Sequence, residues 1–296
     1  MGSAFSGNRA SLGGAVYNLL SELAVIDSSF VNNSAGAAAG GGLLTDGASG
    51  DPNDAVGGTI RLCGCRFEGN TAVPRGGGAY LFAYHPDQVF VDQCTFAGNH
   101  AAAGGGSDFV GAGALEVGNA VLELSRSTFD ANTTDGQGGA LFLAGEHESV
   151  ITNCTFHANR AADWGGAISG SNLVLRNVTL AGNQADQGID AINAWDAVSL
   201  DNSILAAHRD DACSATFAGQ RTLQWSTSGA GGAACVADVL RADPLLGSLG
   251  DYGGPTWTMP LGAGSPALGV GQDCPPVDQR GEPRPAACDL GAYEAP

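Results

Sequence analysis

The sequence predicts an all-β chain wound as a right-handed parallel β-helix, a solenoid of about eight coils with an irregular, disulfide-bonded C-terminal cap. Three observations predict it. A motif recurs with a minimum period of about two dozen residues, a glycine pair follows it in nearly every repeat, and aligned repeats sort apolar residues into columns. A repeat of that length suits a stack of small units, each burying the apolar face of its neighbour.

The motif is Phe-x-x-Asn-x-Ala. Its copies begin at Phe5, Phe30, Phe67, Phe96, Phe129 and Phe156, and it persists in weaker form at Leu180 and Leu205. The spacings are 25, 37, 29, 33, 27, 24 and 25 residues. The Asn column reads Asn33, Asn70, Asn99, Asn132, Asn159 and Asn183. The glycine motif reads Gly13-Gly14-Ala15, Gly41-Gly42-Leu43, Gly77-Gly78-Ala79, Ala112-Gly113-Ala114, Gly138-Gly139-Ala140 and Gly165-Gly166-Ala167. Helical repeats would not tolerate paired glycine in every unit, because each glycine costs a helix about 1 kcal/mol. Leucine-rich repeats need a Leu consensus that is missing here.

Counting the anchor Phe as zero, position −5 is Val25, Leu62, Val91, Leu124, Ile151, Leu175 and Leu200. Position −2 is Ser28, Cys65, Cys94, Ser127, Cys154, Val178 and Ser203. Both columns and the anchor are expected to point inward. Strict alternation puts −5 and −2 on opposite faces, so a bend is expected at −4/−3. Position −1 is mostly polar, with Thr95, Thr128, Thr155 and Thr179, and is expected outward. The Phe column should stack. The Asn is expected inward at a tight turn, in the left-handed geometry that Asn tolerates, with its amide bonded to backbone and to the next Asn.

Composition bounds the function. The chain has 296 residues, 47 Gly and a formal net charge of −18. All twelve basic residues are Arg. So acidic a chain argues against a nucleic-acid or anionic-membrane partner, because phosphate binding needs a basic face. No apolar run has the length of a membrane span. Met1-Gly2-Ser3 opens directly into a repeat, so more chain is expected upstream.

Two regions are expected: repeats over 1–208, then the last coil or coils with a Pro- and Gly-rich capping module over 209–296. The module should fold over the last coil and cover its strand edges. Cys65, Cys94 and Cys154 share an inward column and read as buried thiols. Cys213 is paired with Cys235 and Cys274 with Cys288, each closing a loop in a region with little core. Disulfides imply an oxidising compartment, hence a secreted or cell-surface protein. No Cys-x-x-Cys spacing supports a zinc site.

The alternation of glycine motif and Phe-x-x-Asn over about residues 5–208 resembles the repeats of chlamydial polymorphic outer-membrane proteins, which are β-helical adhesins. Pectin-lyase-like proteins share that architecture. The ending is more particular. It contains, in order, the segments 243–247 (DPLLG), 251–256 (DYGGPT), 264–267 (GSPA), 274–281 (CPPVDQRG), 283–285 (PRP) and 288–294 (CDLGAYE). This series resembles the end of bacterial choice-of-anchor Q proteins. The resemblance implies a secreted β-helix with a C-terminal module, and brings no catalytic residues with it.

Repeats lengthened near 45–57, 83–88 and 145–149 all insert after the glycine-motif strand, so their loops should share one edge. A further insertion spans 102–111. On that edge Asp46, Asp51 and Asp54 are candidate oxygen ligands for Ca²⁺, the one cofactor considered, although their spacing fits no EF-hand. The alternative is a solvated polar loop. His85 and Asp87 flank Pro86 and read equally as a turn. Glu146, His147 and Glu148 are candidate acid/base groups or simply a charged loop tip. A single outward Thr column, interrupted by Arg66 and Ile204, gives half of an ice-binding array.

Two functions remain open. One is a non-catalytic structural or adhesin-like surface protein with an extracellular glycan or a cell-surface protein as partner. The other is a carbohydrate-active enzyme, a polysaccharide lyase or glycoside hydrolase, using the loop-rich edge. A hydrolase needs two carboxylates across a groove, and the arginines Arg66, Arg126 and Arg176 occur singly without a paired-Asp pattern.

Overall fold

The computed structural model describes residues 2–50, 56–104, 106, 109–209, 211–229 and 232–296. Among these residues the strands form four parallel sheets, and each of the first seven coils contributes one strand to each in turn. Sheet A has nine strands, from Ala4–Ser6 to Leu223–Ser226. Sheet B has seven, from Arg9–Ala10 to Gln184–Ala185. Sheet C has eight, from Val16–Leu19 to Asp211–Cys213. Sheet D has seven, from Leu23–Ile26 to Val198–Asp201. None of the described residues is helical.

The anchor column pairs Phe5 with Phe30, Phe30 with Phe67, and so on in register along sheet A. Ring centroids of successive phenylalanines through Phe156 lie 4.6–4.8 Å apart. That is the spacing of neighbouring strands, about 4.8 Å, so the backbone repeat itself dictates the aromatic stack. Leu180 and Leu205 continue the column. Columns −5 and −2 also face the core in coils 3–8, as their alignment implies.

Corners are made by residues with positive φ. Position −3 has φ between 46° and 64° in Asp27, Gly64, Gln93, Arg126, Asn153, Asn177 and Asn202. This is the expected bend, and it turns sheet D into sheet A. A second left-handed residue follows the anchor. It is not the ladder Asn, as its residue type suggests, but the residue just before it: Asn32, Gly69, Gly98, Ala131, Ala158 and Gly182. That turn points each ladder Asn into the core. Its Oδ1 then accepts both the backbone N–H (3.0 Å) and the Nδ2–H (2.9 Å) of the Asn one coil before. Its Nδ2 also donates to the anchor carbonyl of the preceding coil. Every polar atom of the amide is therefore paired inside the core. At the end of the ladder His208 takes over, its ring bonded to the carbonyls of Asn183 and Leu180.

The glycine motif needs one correction. Strand register sets Ala15 against Gly42 and Gly78, not against Leu43 and Ala79, because Val16 pairs with Leu43 and Leu43 with Ala79. The triple-glycine runs 40–42 and 76–78 hide this one-residue offset. The middle glycine of each corner lies against the next coil; a Cβ on Gly41 would sit 2.1 Å from the carbonyl oxygen of Gly77.

The C-terminal region does two jobs. Residues 211–240 add strands to sheets C and A, and a Phe217–Val236 bridge and the Cys213–Cys235 disulfide close the end of the core. Residues 241–296 pack on the last coil, with Leu246, Leu261, Ala267 and Leu290 clustered against Leu223 and Trp225. They double back along the outer face of sheet A. Thr128 Oγ1 donates to the carbonyl of Trp257, Thr155 Oγ1 bonds Gln279, and the Ala292 N–H donates to Thr179 Oγ1. The Asn177 and Asn202 amides donate to carbonyls of the same segment. The outward column is thus buried from Thr128 to Ile204, which removes it as an ice-binding face. With few strands of its own, the segment is held by the Cys274–Cys288 disulfide and buried ion pairs such as Arg284–Glu294 and Arg280–Asp278. Cys63, Cys65, Cys94 and Cys154 are free thiols.

Truncating one ring in the middle of the stack leaves a cavity that neighbours in fixed register cannot close. Phe96→Ala should lower the unfolding free energy by about 3–5 kcal/mol, read from the urea midpoint at constant slope. A loss under about 1 kcal/mol would mean that the stack contributes little.

Candidate functional site

The three insertions after the glycine motif share the edge where sheet C turns into sheet D. Yet their chemical groups diverge. Asp87 is buried, and its carboxylate accepts the N–H groups of Ala48 (2.8 Å), Gly58 (2.7 Å) and Tyr84 (3.0 Å). It ties two loops together and has no room for a substrate. Asp46, at the end of the strand Leu43–Asp46, accepts the Tyr84 hydroxyl at 3.0 Å on the sheet C side. Asp51 and Asp54 lie outside the described residues, so the Ca²⁺ candidate reduces here to Asp46 alone. Among the described residues no three His, Cys, Asp or Glu side chains gather in a way that would hold a metal.

His85 and His147 do meet. Their rings stack at 4.2 Å, 17° from parallel, although they come from loops two coils apart. The coil between them has only a short turn at Asn119-Ala120, which leaves space for the contact. Burial, and then the charge of His85, push the His147 pKa down. The charge of Glu146 opposes that lowering. Glu146 and Glu148 border a shallow cleft of about 400 Å³ whose floor includes Leu173, Val174, Val198 and Ala218, on the sheet D flank.

The outer face of sheet C gathers groups that the sequence reading missed. Register places Tyr17, Leu44, Tyr80, Glu116, Phe142, Ser169 and Asn193 in one outward column. Two residues on come Leu19, Asp46, Phe82, Gly118 and Ala144, also outward. The aromatic rings among them are linked. Phe82 packs edge-on to Tyr80 and Tyr84, and Phe142 touches Phe109 (4.9 Å) and Trp195 (5.9 Å). Phe142 is buried, while Trp195 is 51% exposed and Trp164, in the turn leading into sheet C, is 41% exposed. Trp195 belongs to the seventh coil and Phe142 to the fifth. The indole reaches back across the coil between, where the outward side chain is only Ser169.

Glu116 sits in the middle of this face, fully buried against Gly111. One carboxylate oxygen pairs with Arg75 at 2.8 Å; the other has no hydrogen-bond partner. Burial raises its pKa to about 7, against the opposing pull of Arg75. Arg75 in turn lies over the Phe109 ring at 4.5 Å. Polar groups are rarely buried with an atom unpaired, so this carboxylate is kept at some cost to stability.

The signal for this face was present in the strand after the glycine motif. Alternation there marks every second residue as outward, but a one-residue misregister exchanges the two faces. Aligning on Leu43 and Ala79 rather than Gly42 and Gly78 did so for two coils.

A fold of four parallel sheets stacked coil on coil defines a parallel β-helical solenoid. Residues 25–207 match the family described as the right-handed β-helix region, and the chain belongs to that family. No curated protein and no solved structure is significantly similar to it. Among the described residues no helix is long and apolar enough to cross a membrane.

The raised pKa of Glu116 has a sign. Unfolded, the carboxyl titrates near 4.5; folded, near 7. Between those values the folded state binds more protons, so this group's contribution to stability falls as pH rises and levels off above about 7. Glu116→Gln removes that slope. The variant's unfolding free energy minus the parent's should therefore be larger at pH 8 than at pH 5 in parallel urea titrations, the variant being relatively more stable at the higher pH. A difference constant with pH would contradict the assignment.

Proposed function

We propose that this protein is a secreted or cell-surface β-helix that holds an extracellular partner without transforming it, as an adhesin does. The observation that carries the reading is the outer face of sheet C. Trp195 stands half-exposed there against the buried ring of Phe142 two coils away, and Trp164 is exposed in the turn leading into the same sheet. Exposed aromatic surface marks interaction sites, and tryptophan is enriched where binding energy concentrates. The two disulfides support an oxidising, extracellular location. The charge of −18 argues against nucleic acid and anionic membranes.

A second reading, a carbohydrate-active enzyme, is favoured by one observation: Glu146 and Glu148 border the same cleft. Paired carboxylates are the working groups of most glycoside hydrolases.

Incubating the full chain with cell-wall fractions, capsular polysaccharides and intact cells tests both. The adhesin-like reading expects saturable binding with no new reducing ends or unsaturated products. Products that vanish in both Glu146→Gln and Glu148→Gln would establish the enzyme instead. No saturable binding to any of these materials would reject the adhesin-like reading.

A further inference from the structure

The geometry points to a neutral glycan as the ligand of the sheet C face, with Trp195 and Trp164 as its stacking platforms. This rests on the adhesin-like reading and names the chemistry of its partner.

The argument begins with what holds Trp195. Its indole reaches back over the sixth coil to the buried ring of Phe142, 5.9 Å away and tilted by 37°. That contact supports one side of the indole and leaves about half of the residue exposed. Fixing a large, flat side chain before the ligand arrives removes part of the ordering cost of binding. Trp164 lies on the opposite border of the same sheet, one coil earlier. Its carbonyl accepts the Ser169 hydroxyl at 3.1 Å, which fixes its turn to the strand Ile168–Gly170. The outward positions beside them are small or polar: Ala144 and Asn193, each partly exposed, and Ser169, which is fully buried.

Such a surface suits a pyranose chain. One face of a pyranose presents C–H groups that pack on an aromatic ring, while its equatorial hydroxyls need polar partners at the rim. Asn193 is half-exposed and beside Trp195, and it offers both a donor and an acceptor there. Aromatic side chains give large contact area with only two torsions to order.

Charge selects the class of glycan. Each indole has a carboxylate beside it in the chain, Asp163 at Trp164 and Asp196 at Trp195. The arginines of the neighbouring turns are already engaged: Arg75 with Glu116, Arg160 with Asp186, and Arg209 with Asp190. A uronate or sulfated chain would meet negative potential with no free arginine from these turns to offset it. A protein partner would be expected to match the acidic surroundings with basic residues, and its binding would weaken sharply with salt. A neutral glycan needs neither.

The test uses the full chain with insoluble β-glucan, chitin and polygalacturonate in depletion isotherms, at low and high salt. Binding to a neutral polysaccharide, little changed by salt, is expected. Trp195→Ala and Trp164→Ala should each weaken it by on the order of tenfold or more. Trp257→Ala, which removes an equally exposed indole from the segment on sheet A, should leave it unchanged. Trp195→Phe should retain more binding than Trp195→Ala, because the stacking face remains. Thermal melts of each variant separate lost binding from lost fold. Preference for polygalacturonate, or equal losses in all three alanine variants, would overturn the inference. So would cell binding that is abolished by treating the cells with protease while no polysaccharide binds; the adhesin-like reading would then stand without it. Absence of binding to cells and polysaccharides alike would remove both.

Discussion

Hydrogen bonds between coils fix the spacing of everything else in the molecule. Each strand meets the next about 4.8 Å away, so any side chain repeated once per coil must stack on its copy at that distance. Phenylalanine can do so, since its ring thickness leaves room for parallel neighbours at 4.6–4.8 Å. Asparagine can do so, because its amide is both donor and acceptor and can bond a copy of itself in the same orientation. A charged residue in an inward column would stack like charges with no solvent between them. The core therefore admits few residue types, and those types recur.

The outside obeys the same spacing under looser rules. Outward columns carry side chains of any kind, and what covers them differs by sheet. Sheet A is overlaid by residues 241–296 along its second half, so its threonines serve as anchoring points. Sheet C remains open around Trp164 and Trp195 and is roofed near Glu116. The loops at the border of sheets C and D engage one another, through the carboxylate of Asp87 and the His85–His147 stack. The insertions at this border thus fasten loops to one another, whereas the exposed indoles lie at the ends of sheet C strands outside them.

How much of this was legible in the sequence follows from the same physics. The inward columns could be read because the core restricts them: Phe67, Phe96, Phe129 and Phe156 repeat without variation. The bend at −3 could be read from a mismatch in alternation, and positive φ at Asn153, Asn177 and Asn202 is its cause. The left-handed residue beside the ladder was misplaced by one because Asn suits that geometry, yet here it is needed inside as a donor and acceptor. The path of residues 241–296 was not legible, because irregular segments carry no periodicity. The sheet C face was partly legible. Its residues vary from coil to coil, so only register could group them, and runs of three glycines obscured that register.

The segment laid across sheet A changes how the solenoid behaves as a chain of units. A simple coil stack interacts only between nearest neighbours, and its ends can peel away one turn at a time. Here a single strap bonds Thr128, Thr155, Asn177, Thr179 and Asn202, which belong to four successive turns. Peeling from the C-terminal end must first detach the strap from all of them, so that half of the rod is joined into one cooperative block. Among the described residues no such tie reaches the turns around Phe5 and Phe30. Unfolding under heat, denaturant or pulling force should accordingly begin in the coils outside the strap and stop where the strap begins.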